Sequence, residues 1–126
     1  MGIVGIGTEI VECFRIRRMI EEHGEQFLRR IFTEEEIRFC QSRRHATEHF
    51  AARWAAKEAV FKALGVTGRN GLWTDVETQI MPTGSAKANV GGATQEMMET
   101  RGIREILLTV AFCRAYATAT AIAVRK

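Results

Sequence analysis

Apolar residues open the chain in a tight cluster. Ile3, Val4, Ile6, Ile10 and Val11 fall within residues 2–11, interrupted by two glycines, and predict a buried strand. Over residues 12–22 the rhythm lengthens: Phe14, Ile16, Met19 and Ile20 recur near helical spacing, and Gly24 stands where such a helix would stop. A short helical piece is expected over 26–31. Thr33-Glu34-Glu35-Glu36 then has the form of a capping box, in which the Thr hydroxyl accepts from a free helix amide and Glu36 reaches back to the Thr33 amide. That helix should run to about Ser42. The longest helix is predicted over 47–64, an alanine-rich stretch without Pro or Gly, with Gly65 where a left-handed cap is wanted.

Beyond it the pattern becomes strand-like. Gly68-Arg69-Asn70-Gly71 reads as a turn, and strands are expected over 75–81 and 86–90, joined by Pro82-Thr83-Gly84-Ser85. A helix over 95–101 should close at Gly102. Residues 105–124 read as two strands turning near Cys113-Arg114. In the second, Tyr116, Thr118, Thr120, Ile122 and Val124 alternate with alanines, as in a strand packed on both sides. A strand, then helices, then mostly antiparallel strands gives an α+β class. There is no repeat, linker or low-complexity tract, and 126 residues suit one domain over 1–126.

Composition narrows the partners. Hydrophobic residues make up 46% and charged residues 26%, which is ordinary globular usage. Eighteen Lys and Arg against 15 Asp and Glu leave +3, favouring an anionic partner: nucleic acid, a phosphate-bearing small molecule or an acidic protein. Cys13, Cys40 and Cys113 form no CxxC pair, so neither a zinc site nor a disulfide framework is indicated. No apolar run reaches signal-peptide or membrane length, so the expected compartment is the cytoplasm, with no membrane partner.

Chemistry concentrates on the long helix. Arg53, Lys57, Glu58 and Lys62 stand among Ala, Phe, Val and Trp. Glu58 and Lys62 share a face, as do Arg53 and Lys57, so one reading is a solvated stripe with a helix-supporting ion pair. The other is a metal-binding carboxylate flanked by cations for phosphates, because Mg²⁺ takes only one or two protein carboxylates and fills its other positions with water and phosphate oxygen. The second carboxylate would be Glu9, a charge inside an apolar segment, costly unless paired or metal-bound; the alternative is that it marks the strand's polar end. Gly5 and Gly7 do not make a dinucleotide fingerprint, since Ile10 stands where the third Gly belongs.

These residues resemble the holo-acyl-carrier-protein synthases. The resemblance rests on Gly5-Ile6-Gly7-Thr8-Glu9-Ile10-Val11-Glu12 with Arg15-Ile16, on Arg30-Ile31-Phe32-Thr33 with Glu36, and on residues 50–59 (FAARWAAKEA) continuing through Lys62-Ala63-Leu64-Gly65. The Arg-x-x-x-Lys-Glu-Ala stretch begins about 45 residues after the Gly-x-Gly opening, and the likeness extends to the closing Tyr116-Ala117-Thr118-Ala119. It implies an α+β phosphopantetheinyl transferase fold and a homotrimer with each active site at a subunit boundary. It also implies Mg²⁺ held by Glu9 and Glu58 on the coenzyme A pyrophosphate, with Lys62 and the neighbouring Arg53, Lys57 and Gly65 around the coenzyme. A serine of an apo acyl carrier protein would attack the phosphate bearing pantetheine, and adenosine 3′,5′-bisphosphate would leave. The serine proton would pass to a metal-bound water or to Glu36. Arg15, and with it Arg18, would dock the acidic carrier protein, complementary charge raising the encounter rate; the alternative is a solvated helix face.

The chain departs from the family at three places. Glu9 replaces an Asp, which moves the carboxylate by roughly 1.5 Å. Phe112 stands where the late strand carries His or Asp beside the nucleotide, and Gly84-Ser85-Ala86-Lys87 replaces a Gly-Lys-Pro turn. Glu9 and Phe112 keep open a rival, a divergent relative that binds coenzyme A or carrier protein with little or no transfer. A basic nucleic-acid module is a second rival, supported by charge and by the GxxG form of residues 68–71; the helix such a clamp needs on its far side is absent, so no nucleic-acid partner is expected. His23, His45 and His49 have no metal spacing and are expected at element ends or on the surface. Ser42 and Ser85 lack nucleophile-elbow surroundings.

Overall fold

A computed structural model describes residues 2–66 and 72–125. Strand β1 (Gly2–Glu12) leads into helices α1 (Cys13–His23), α2 (Glu25–Ile31), α3 (Glu34–Gln41) and α4 (Ala46–Leu64). A single 3-10 turn, Trp73–Asp75, precedes β2 (Val76–Ile80) and β3 (Ser85–Val90), then α5 (Gly92–Thr100), β4 (Ile103–Phe112) and β5 (Tyr116–Arg125). The strands form one antiparallel sheet in the order β1-β5-β4-β3-β2. The expected α+β class is what the chain adopts. The turn expected at Gly68–Gly71 lies outside the described residues.

Local signals account for most boundaries. Gly24 and Gly65 end α1 and α4 at φ of 53° and 74°, a backbone region open to glycine. The Thr33–Glu36 capping box starts α3 as expected. Helix α5 begins three residues before the predicted start. Its first turn is tied down by Asp75, whose Oδ2 accepts from the Thr94 amide and hydroxyl at 3.3 and 2.9 Å. A cap supplied from 19 residues away leaves no local signature.

Helix α4 is buried almost all round, and its alanines explain how. Ala51, Ala52, Ala55, Ala56 and Ala59 have no exposed surface, and the inward alanines of β5, Ala117, Ala119, Ala121 and Ala123, are buried against it. Small residues on both sides let helix and sheet approach closely. Gly5 and Gly7 extend this to β1: a Cβ at Gly5 would lie 2.1 Å from the Ala63 carbonyl oxygen, and one at Gly7 2.0 Å from that of Ala59. The opening glycines therefore serve strand-on-helix packing rather than a phosphate loop.

The register sorts β1, β5 and β4 into two faces. Toward α4 point the rows Gly5/Ala123/Ile106, Gly7/Ala121/Leu108, Glu9/Ala119/Val110 and Val11/Ala117/Phe112. Outward point Ile6/Ile122/Leu107, Thr8/Thr120/Thr109 and Ile10/Thr118/Ala111. Strand β5 was expected to pack on both sides. In the single chain only its alanine side is covered, and Tyr116, Thr118 and Thr120 are exposed.

Candidate active site

Glu9 is the one charged residue in those inward rows. Its position relative to α4 follows from element geometry. Two strand residues advance about 6.6 Å and four helical residues about 6 Å. Gly5 meets Ala63 and Gly7 meets Ala59, so Glu9 comes level with the turn around Ala55. Helical side chains lean toward the N-terminus, so Glu58 and Lys62 project back toward that level. The lysine does so: its Nζ lies 2.6 Å from Glu9 Oε1 and donates to the Thr8 carbonyl at 3.0 Å. Glu58 precedes Lys62 by one turn on the same face and is half-buried. The Glu9 side chain keeps 16% of its surface and Lys62 keeps 52%, so a ligand can reach this ion pair and take over its charges.

Lys57 behaves differently. It was expected among the coenzyme-binding cations, yet it has no exposed surface. Its ammonium pairs with Glu36 Oε1 at 2.8 Å and donates to the carbonyls of Trp73, at 3.2 Å, and Val76. Burial pushes its pKa down, and Glu36 partly offsets this. The other half of the pair also departs from expectation. Glu36 is 2% exposed and receives the Thr33 amide on Oε1 and the Thr78 amide and hydroxyl on Oε2, at 2.9, 2.8 and 2.7 Å. With four donors on its two oxygens, this carboxylate is committed to tying α3, α4 and β2 together and is not placed to take a proton from a serine. Lys57, for the same reason, has no face left for a phosphate.

Arg53 is also turned inward, at 3% exposure. Its Nη1 donates to the His49 carbonyl at 3.2 Å, its guanidinium lies 4.5 Å from the centre of the Phe39 ring, and its Nε is buried without a hydrogen-bond partner. Together with Arg43, His49, Phe112 and the Pro82–Gly84 turn it lines a cavity of about 600 Å³. His49, expected at an end or on the surface, is half-buried there between Phe39 and Phe112. Only a contact between α3, α4 and the far end of β4 places it so, and spacing along the chain carries no sign of that. Gly65 caps α4, and the preceding Leu64 carbonyl accepts from Arg101. Arg15 and Arg18 are exposed on α1; Arg15 sits over the Trp54 ring and Arg18 pairs with Glu22 at 3.1 Å.

Residues 5–121 match the family model of the 4′-phosphopantetheinyl transferase superfamily. The chain belongs to that superfamily. A holo-[acyl-carrier-protein] synthase from Rhodopirellula baltica is 47% identical over 119 residues, covering 94% of this chain and 95% of the relative. Among solved structures, the holo-[acyl-carrier-protein] synthase of Neisseria meningitidis superposes with a TM-score of 0.88 at 31% identity, covering 98% of this chain and all of that one. The Bacillus anthracis synthase, solved in complex with CoA (3′,5′-ADP), gives 0.79 at 28% identity, with 98% of each chain covered. The phosphopantetheinyl transferase fold thus frames the surface on which Glu9, Glu58 and Lys62 lie. Among the described residues no cluster of three or more His, Cys, Asp or Glu forms a metal cage. None of the described helices is long and apolar enough to cross a membrane.

Proposed function

We propose that this chain is a holo-[acyl-carrier-protein] synthase formed by a single transferase domain. It moves 4′-phosphopantetheine from coenzyme A to a serine of an acidic apo acyl carrier protein, with Glu9 and Glu58 as the ligands of a Mg²⁺ ion. The observation that carries this reading is the accessible Glu9–Lys62 pair one turn from Glu58, within a chain that matches this family over nearly its whole length. Two protein carboxylates are enough for Mg²⁺, which takes the rest of its shell from phosphate and water. When bound, that ion neutralises charge on the pyrophosphate oxygens.

The chain's own groups do the remainder. Lys62, freed from Glu9, presents its ammonium to the phosphate under attack. The serine oxygen gives its proton to a water in the site and bonds to the phosphorus bearing pantetheine as the bond to the second phosphate breaks, and adenosine 3′,5′-bisphosphate carries away the electron pair. Such a transfer asks for positioned charge rather than a protein nucleophile. Arg15 and Arg18 offer the carrier a positive face.

The outward face of the sheet supports assembly into a homotrimer. Ile3, Ile6 and Ile10 are 61–65% exposed, and Leu107 and Tyr116 47%. Ile6, Ile122 and Leu107 are direct cross-strand neighbours there, forming an apolar row of the kind that marks an interface between copies. A site at the subunit boundary would join the Glu9–Glu58–Lys62 surface of one copy to a neighbour.

Incubation with apo carrier protein, coenzyme A and Mg²⁺, followed by mass spectrometry of the carrier, tests the reading. It predicts a phosphopantetheine adduct that disappears with chelator and with Glu58→Ala. Tight coenzyme binding with no adduct from the unaltered chain would contradict it.

A further inference from the structure

Glu9 is held at both of the peptide groups that flank it. Upstream, the Thr8 carbonyl accepts from Lys62 Nζ at 3.0 Å; downstream, the Glu9 carbonyl accepts from Thr118 Oγ1, also at 3.0 Å. The ladder explains why the two donors come from opposite sides. Cys13 donates its amide to the Ala115 carbonyl at 2.8 Å, and facing residues of an antiparallel pair alternate between exchanging hydrogen bonds and not. Counted back in register, Glu9 exchanges bonds with Ala119, so its carbonyl points at β5. The Thr8 carbonyl points off the free edge of β1, where Lys62 meets it. The Glu9 carbonyl therefore takes the Thr118 hydroxyl as a second donor beside its ladder partner, one for each lone pair.

The two donors part company when substrate arrives. Lys62 bonds both the Thr8 carbonyl and the Glu9 carboxylate, and in the transfer described above it leaves them for a phosphate. Thr118 has no such task. It is exposed on the outward face of the sheet, whereas the Glu9 side chain points inward toward α4. Its hydroxyl thus acts on Glu9 from behind and not on the ion or the substrate.

An exposed hydroxyl could bond water instead at little loss, so its commitment to this one carbonyl has its main effect on geometry. Fixing the peptide plane after Glu9 fixes the direction of its Cα–Cβ bond, and with it the place from which the carboxylate starts. Mg²⁺ demands near-ideal octahedral geometry, and outer hydrogen bonds orient the groups that ligate a metal. We propose that Thr118 is a positioning residue for Glu9, keeping the carboxylate aimed at the metal site once Lys62 has turned to the phosphate. This rests on the transferase reading and adds a residue that works through Glu9.

The test is Mn²⁺ titration of the full chain with coenzyme A present, read by water-proton relaxation, beside thermal melts and transfer kinetics. Thr118→Val keeps the branched shape and removes the donor. It should weaken Mn²⁺ binding about fivefold, the scale of one hydrogen bond, and raise the Mg²⁺ needed for half-maximal transfer by a similar factor. Thr118→Ser keeps the hydroxyl and should bind as the parent does. Thr120→Val makes the same change two residues on, on the same outward face, and should also match the parent. Parent-like affinity in a folded Thr118→Val chain, a loss confined to its melting temperature, or an equal loss of affinity in Thr120→Val overturns the role of Thr118 and leaves the transferase reading intact. A parent chain that neither captures Mn²⁺ with coenzyme A present nor transfers overturns both.

Discussion

Lys57 and Lys62 sit five residues apart on one helix, each paired with a glutamate from another element, and the two pairs do opposite work. The Lys57–Glu36 pair is buried, and its remaining donors and acceptors are spent on Thr33, Thr78, Trp73 and Val76. The Lys62–Glu9 pair is open, with more than half of the lysine exposed. A buried pair is strongly felt when one half is removed, because the other is left charged in a poor solvent. An exposed pair contributes little to stability, so its charges are free for a ligand. The same residue types thus form a clamp at one point of α4 and an accessible ion pair at the other.

The largest expected effect comes from breaking the clamp. Glu36→Ala should lower unfolding free energy by about 3–5 kcal/mol, read from urea melts. The apolar pair Glu36→Leu/Lys57→Met should recover much of that loss, since an uncharged core needs no partner. If the double variant is worse than the single one, the pair itself is the stabilising feature and the contrast with Lys62 weakens.

Lys62→Ala should do the reverse. Stability should change by less than about 1 kcal/mol, while the transfer rate falls about 100-fold, the typical loss on removing one charge-stabilising group. Glu9→Asp, which withdraws the carboxylate from the ammonium by one methylene, should lower the Mg²⁺ concentration needed for half-maximal transfer, with melting almost unchanged.

Much of this was legible in the chain. The capping box, the left-handed cap at Gly65 and the alternation in β5 are local patterns, and each produced its element. The split between Lys57 and Lys62 was not, because α4 is apolar nearly all round and no polar stripe marks which cation faces water. Glu36 was read for the Thr33 amide it does bind, but its partners Thr78 and Lys57 lie 42 and 21 positions away and exist only in the folded chain. The glycines of β1 were visible, yet their purpose lies in the carbonyls of Ala59 and Ala63, which no motif encodes.

Two smaller effects extend the contrast between closed and open groups. The folded chain holds His49 below 6.5, so it binds fewer protons than the unfolded chain just under that value. The corresponding stability is complete above 6.5 and is lost as pH falls through the folded value; His49→Phe should flatten this acid limb in thermal melts. Among the thiols, Cys113 is exposed while Cys13 and Cys40 are buried, and burial pushes the Cys40 thiol up to about 12. A thiol reagent should therefore titrate Cys113 rapidly and Cys40 only on unfolding.

The most direct measurement is Mn²⁺ binding followed by electron paramagnetic resonance, with the full chain and coenzyme A present. The account predicts stoichiometric loss of the free-ion signal in the unaltered protein and its return in both Glu9→Ala and Glu58→Ala. If either variant captured the ion as tightly as the parent, the two carboxylates would not share a metal, and the proposed reaction surface would have to be redrawn.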